Sequence, residues 1–501
     1  MTRGNVLVCA VLAACAASAA EPICLGPAKA RQSVTNRRFA GVPVDAFRGE
    51  VRTTTFEHPW QLVAEADDGL AVEAVVTVDV AHVDQEIMGF GTAVSELSWK
   101  SLSLLSEGER GKILDEMFSP SGGNFTVVRT PIGASDFALD YYSYDDYPDD
   151  FGMEKFSIER DERSLLPLLR EIVKRVPSDT LRTWASPWCP PKWMKRTGCY
   201  ASCKPWKSGA PNDCTPDARV YEGEDGFCCD DAHFRAYALY FRKYVDAYRA
   251  AGVPIWMVMP QNEFNSAQPY PSCTWTSRSM ATFIGKYLGP ALEGSGTDLF
   301  FGTVERASME IVNNVLKDAD CMRYVKGAGF QWGGKDAIVA VRRRYPGLFL
   351  VQTEQECGDG RNDWKHARHC WDLMRHYLGH GASVYEYWNM SLCDDSLSRW
   401  GWRQNSLVTV AADGRSWRFN IEYYVLKHVS HYVGRGSRRV ASDGYEDALA
   451  FVTSDGAVVV VLGSQSDREK VVEIRVGGRV ARVNLLPNSL TTFCCPRFEI
   501  R

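Results

Sequence analysis

The sequence predicts an α/β fold, a (β/α)8 TIM barrel with an accessory antiparallel β-sandwich, and three observations point there. From about residue 87 to 390, eight apolar strand-like runs alternate with helix-like runs, the pattern of parallel β/α units. No glycine-rich phosphate loop follows the first strand, which sets aside a doubly wound nucleotide fold. Before and after that span the pattern changes to short β-rich runs, with strict apolar alternation over 76–80. A length of 501 residues leaves room for one barrel-sized domain and an accessory.

Residues 1–20 carry Arg3, an apolar run over 6–14 and small residues ending in Ala17-Ser18-Ala19-Ala20, a secretory leader too short to span a bilayer. Leu12-Ala13-Ala14-Cys15 also fits a lipoprotein cleavage site, with Cys15 then carrying lipid. Either fate predicts export, to a secreted, periplasmic or cell-surface location. Residues 21–83 are expected to supply the first part of the β-domain, with clean alternation over 76–80.

Residues 84–415 form the expected barrel, with strands at 88–91, 126–131, 181–186, 255–259, 299–303, 327–332, 348–352 and 383–388. Ser106-Glu107-Gly108-Glu109 is a capping box ahead of Ile113, Leu114, Met117 and Phe118. After Asp231, helical spacing places Phe234, Tyr237, Ala238, Phe241, Val245 and Tyr248 on one face. An insertion over 196–230 has no apolar periodicity but holds Cys199, Cys203, Cys214, Cys228 and Cys229. Sixteen cysteines less Cys9 and Cys15 of the leader leave an even fourteen, so disulfides are expected to hold that segment. A zinc site is disfavoured, because no paired CxxC spacing and no histidine occurs among those five. Residues 416–501 return to β-rich runs at 457–462, 471–476 and 480–486, and the two ends of the chain are expected to pair into one β-domain.

Apolar content of 45%, charge of 24% and a net charge of -5 describe a soluble globular chain and exclude a polyanion partner such as nucleic acid. Nine histidines without an HExxH pattern argue against a metal mechanism, and no cofactor is expected.

In a barrel the working groups sit where strands end, on the C-terminal face. Glu263 follows the fourth strand in Met259-Pro260-Gln261-Asn262-Glu263, and Glu354 follows the seventh in Val351-Gln352-Thr353-Glu354, across the mouth. Two facing carboxyls are what glycoside hydrolysis needs: one to protonate the leaving oxygen, the other to attack the anomeric carbon or activate water. An isolated strand-end glutamate is more often a solvated surface residue, so the pairing carries the argument. Glu356 is the neighbour most easily confused with Glu354. Trp188 and Trp388 have core as their ordinary fate, Arg129 an internal ion pair, and Cys357 a buried thiol without a histidine partner.

Asn262-Glu263 and Glu354, with Gly89-Phe90-Gly91-Thr92-Ala93, the run from Arg129 to Phe137, Asp146 to Phe151, Ala185-Ser186-Pro187-Trp188 and Tyr387-Trp388-Asn389, resemble the blocks of glycoside hydrolase family 30 in order. This is the clan A glucosylceramidase family. The resemblance implies Glu263 as acid/base, Glu354 as nucleophile and Asn262 bonding the sugar's 2-hydroxyl. It further implies Glu96, Trp188, Trp388 and Asn405 around the glycone, with Arg129 beside the nucleophile. Implied substrates are a β-glucoside or β-glucan, glucosylceramide among them. Xylosides, fucosides or sugar binding without turnover are the alternatives. The chain departs from the family at Glu96, where an aspartate is usual, at Phe264 for proline, and at Gln331-Trp332-Gly333. There a histidine, a tryptophan and a tyrosine that touches the nucleophile are expected.

Overall fold

A computed structural model of the chain describes residues 47–496 except 68, 178, 208 and 216. The leader and Cys15 lie outside the described residues. Eight parallel strands follow in order: Gly89–Ala93, Val127–Pro131, Arg182–Ser186, Ile255–Val258, Asp298–Val304, Val325–Gln331, Phe349–Glu354 and Val384–Tyr387. The eighth pairs with the first, and a bridge from Leu350 to Ala382 joins the seventh to the start of the eighth, closing the ring. Val127, Trp184, Met257, Met259, Phe300, Val351 and Val384, all buried, fill its lumen, so the barrel is a packed core and its chemistry is confined to the rim.

The helices form where the sequence gives them caps and one apolar face. Ser106 Oγ accepts the Glu109 N–H at 3.2 Å, satisfying an otherwise orphaned donor of helix Glu107–Phe118. Asp230 does the same for His233 at 3.0 Å ahead of Asp231–Ala250, whose expected apolar face is wholly buried. Helix Ile421–Ser430 corrects the reading that placed residues 416–501 in the β-domain. It follows the eighth barrel strand and packs beside Trp364–Gly379, tied to the barrel by Ser430 and by Tyr423 on Glu116. Its alternation of Tyr423, Val425, Lys427 and Val429 resembles a strand's, but all are buried on a helix that is covered on several sides.

The two chain ends do share one β-domain. Glu50–Thr54 pairs antiparallel with Ser489–Cys495, and Ala74–Glu86 pairs antiparallel with Arg438–Asp443. One ladder differs from the antiparallel expectation: Ala74–Glu86 runs parallel to Lys470–Val476. Among the described residues no helix is long and apolar enough to cross a membrane.

The expected disulfides are not formed: all thirteen described cysteines are free thiols. The Sγ atoms of Cys199, Cys203, Cys214 and Cys229 rest instead against backbone carbonyls. Hydrogen bonds shape the insertion. Asp213 accepts the Tyr200 and Ala201 N–H groups at 2.6 and 2.9 Å, and buried Lys195 donates to the carbonyls of Tyr200 and Ser272 at 2.8 and 2.6 Å.

Candidate active site

Glu354 ends the seventh barrel strand. A β-bulge between Gln352 and Glu354 shifts the register there and sets Glu354 opposite Gln331 of the sixth strand. Three donors converge on its carboxylate: Arg129 Nη1 at 2.7 Å and Gln331 Nε2 at 3.1 Å on Oε2, and Trp332 Nε1 at 3.0 Å on Oε1. An ionised carboxylate is an acceptor only, and this shell is made of donors. Arg129 is fully buried, 4.4 Å above the ring of Trp188 and 4.9 Å above that of Trp184. Its second nitrogen donates to Asn262 Oδ1 at 2.6 Å and Ser186 Oγ at 3.1 Å, so one cation on the second strand ties together groups from the third, fourth and seventh strands or their ends.

Glu263 sits just past the fourth strand with φ 48, in the left-handed region, and Trp332 has φ 45. Both are uncommon for residues with side chains and cost roughly 1–3 kcal/mol each, which the surroundings must offset. The Glu263 N–H donates to Thr303 Oγ1 at 2.8 Å. Its Oε1 accepts from Gln331 Nε2 at 3.3 Å, and its Oε2 from the Tyr270 hydroxyl at 3.2 Å. Burial, and then the charge of Glu354, push its carboxyl up to about 7.

Gln331 therefore bridges the pair. One nitrogen lies within hydrogen-bond distance of both carboxyls, and Thr353 Oγ1 fixes the amide by donating to Gln331 Oε1 at 2.9 Å. Asn262 Oδ1 accepts from Arg129, Thr303 and Gln331, which leaves its amide N–H group as its remaining function.

Asp136, quoted in a sequence block but given no role, is the carboxyl that residue reasoning missed. It is buried, its Oδ1 has no partner, and burial together with the charges of Glu354 and Glu263 holds it well above the usual carboxylate range. Its position in the loop after the second strand was legible; its inward aim was not. Glu96, by contrast, is held by other partners. Both its oxygens bind Arg160, at 2.9 and 3.0 Å, and Oε2 also accepts the Leu139 N–H at 2.7 Å. These bonds make Glu96 an anchor for the loop that carries Asp136.

Asn405 is likewise spent. It donates to Glu422 at 2.6 Å, accepts the Gly360 N–H at 2.8 Å and is fully buried. Trp188 and Trp388 do reach the site, as a stacked buried pair 5.3 Å apart under Arg129, with the Trp388 indole N–H unpartnered. Glu356 turns to Lys335 and His369, at 2.8 and 3.0 Å. Among the described residues no cluster of histidine, cysteine or carboxylate groups is placed to hold a metal ion.

The family model for the glycosyl hydrolase family 30 TIM-barrel domain matches residues 87–426, and that for the family's β-sandwich domain matches 436–493. The chain belongs to glycosyl hydrolase family 30. Its family 30 relatives include putative glucosylceramidase 3 of Caenorhabditis elegans, 26% identical over 451 residues, covering 84% of this chain and 82% of that protein. The endo-1,6-β-D-glucanase neg1 of Aspergillus fumigatus is 26% identical over 440 residues, 82% of this chain and 85% of the relative. Among solved structures, SrfJ from Salmonella typhimurium superimposes with a TM-score of 0.78 at 21% identity, covering 90% of this chain and all of that one. With membership goes the family's class of reaction, glycoside hydrolysis.

Proposed function

We propose that this family 30 chain hydrolyses β-glucosidic bonds with retention, Glu354 acting as nucleophile and Glu263 as acid/base. The observation that carries the reading is the shared nitrogen of Gln331, 3.1 Å from one carboxyl and 3.3 Å from the other. Two oxygens so bridged lie closer than the roughly 6.5–9.5 Å that an inverting enzyme keeps open for its water. Glu354 attacks the anomeric carbon as Glu263 delivers its proton to the departing oxygen. Glu263, now ionised, then takes a proton from the water that cleaves the glycosyl ester.

Trp332 and Gln331 supply the donors that the family's absent tyrosine would give the nucleophile. The amide N–H group of Asn262 is left for the 2-hydroxyl, and the unpartnered Asp136 Oδ1 and Trp388 N–H are suited to other ring hydroxyls. The relatives' names support a β-glucoside substrate, glucosylceramide or a β-1,6-glucan. The leader-like first twenty residues support export, with Cys15 as the residue a lipid would occupy.

A 2-deoxy-2-fluoro-β-glucosyl fluoride should inactivate the enzyme with time and leave its sugar on Glu354, found by peptide mass mapping. Glu354→Gln should lower kcat on the order of 10^4-fold. A label on Glu356 or Asp136 would overturn the assignment.

A further inference from the structure

A row of aromatic rings runs outward from Glu263 and is not used by the two-glutamate chemistry. Tyr270, whose hydroxyl donates to Glu263 Oε2, packs on Trp402 with 4.9 Å between ring centroids, and Trp402 meets Trp206 at 5.1 Å. Exposure grows along the row: Tyr270 is buried, Trp402 half-buried and Trp206 48% exposed. Its members come from the loop after the fourth strand, the loop after the eighth and the cysteine-rich insertion.

These segments are fastened together. The Ser202 N–H donates to Gln268 O at 2.9 Å, Asn212 Nδ2 to Pro269 O at 2.8 Å, and the Ala210 N–H to Trp400 O at 3.1 Å. Behind the row, Tyr200 stacks on Tyr141 at 5.2 Å, and the Trp400 indole donates to the Tyr141 hydroxyl at 2.9 Å. The insertion thus completes a wall of the mouth.

The row's direction has a chemical meaning. Glu263 Oε1 shares Gln331 with the nucleophile, whereas Oε2 is turned to Tyr270. A general acid meets the leaving oxygen, so the surface beyond Glu263 on the side away from Glu354 faces the leaving group. Resting on the two-glutamate reading, we propose that Tyr270, Trp402 and Trp206 form an aglycone site for a carbohydrate chain, whose sugars stack on these rings as the bond before them is cut.

The strip favours sugar over lipid tails. Its exposed end is a single ring, Trp206, and exposed Lys204, Lys207 and Arg403 flank Trp206 and Trp402 in the chain. Ring faces suit the C–H face of a pyranose, while nearby polar groups can meet its edge hydroxyls. An acyl chain calls for a broader aliphatic patch.

The test compares kcat/KM for a β-1,6-linked glucotetraose with that for an aryl β-glucoside, using full-length Trp206→Ala and Trp206→Phe. Trp206→Ala should reduce the ratio of the two on the order of tenfold, chiefly through the tetraose KM, and Trp206→Phe should restore most of it. An unchanged ratio overturns the proposal. So does a larger loss on glucosylceramide in detergent micelles than on the tetraose, which would put a lipid on the strip. If the unmodified protein turns over neither glucoside, the two-glutamate reading itself fails, and this inference with it.

Discussion

In the acid role proposed for it, Glu263 works only while it holds its proton. Burial and the charge of Glu354 push its carboxyl up to about 7, so the proton is present below that pH and lost above it. kcat/KM on a substrate with a poor leaving group should therefore fall on the alkaline side of about pH 7. With a dinitrophenyl leaving group, which departs without protonation, that limb should vanish; a limb unchanged between the two substrates would remove Glu263 from the acid role. Both glutamates were legible in the sequence because a barrel confines chemistry to strand ends, and two carboxyls stood at facing ends. The hydrogen-bond shell was less so. Glu96 and Asn405 carry the right chemistry, but their partners Arg160 and Glu422 lie 64 and 17 residues away, and only folding shows them occupied. Gln331 and Trp332 looked like gaps in a family motif, since spacing cannot show that an indole and an amide reach where a phenol would.

At the scale of elements, the barrel strands were readable because each is a short apolar run between turn residues, and the insertion was not, because it has no period to read. Its shape depends on individual polar side chains. Lys195, 3% exposed, donates to the carbonyls of Tyr200 and Ser272 and so joins the insertion to the Tyr270 loop. Lys195→Met keeps the bulk but removes the charge-assisted hydrogen bonds to both carbonyls, a loss of about 1–3 kcal/mol confined to that loop. Limited proteolysis between residues 196 and 230 should then accelerate several-fold with little change in the main melting transition. Cleavage at the wild-type rate would show that the segment is held by something else. The even cysteine count misled for a related reason: parity and compartment say that thiols can pair, but neither says that a network such as Asp213 and Lys195 leaves them nothing to do.

For the molecule as a whole, buried carboxyls set the response to pH. Glu305, Glu386 and Glu422 are each pushed from 4.5 up to about 8, in every case mainly by burial. Between those values the folded chain keeps protons that the unfolded chain has released, so their stabilising effect is full below about 4.5 and is lost as pH rises toward 8. His428, between Thr54 and Thr492, is pushed down to about 3 by burial, so its contribution is lost as pH falls from 6.5 toward 3. The melting temperature should peak in mild acid and fall by several degrees toward pH 8, and Glu422→Gln should flatten that fall. Calorimetry showing a flat or rising Tm from pH 5.5 to 8 would contradict this. The left-handed backbone at Glu263 and Trp332 bears on the same balance. Glycine takes that conformation freely, and Glu263→Gly would also remove a buried, repelled carboxyl. A laboratory selection that rewards heat resistance and never asks for turnover would therefore drift first toward residues on which the proposed chemistry depends. Any campaign to harden this fold has to keep hydrolysis in its screen from the first round.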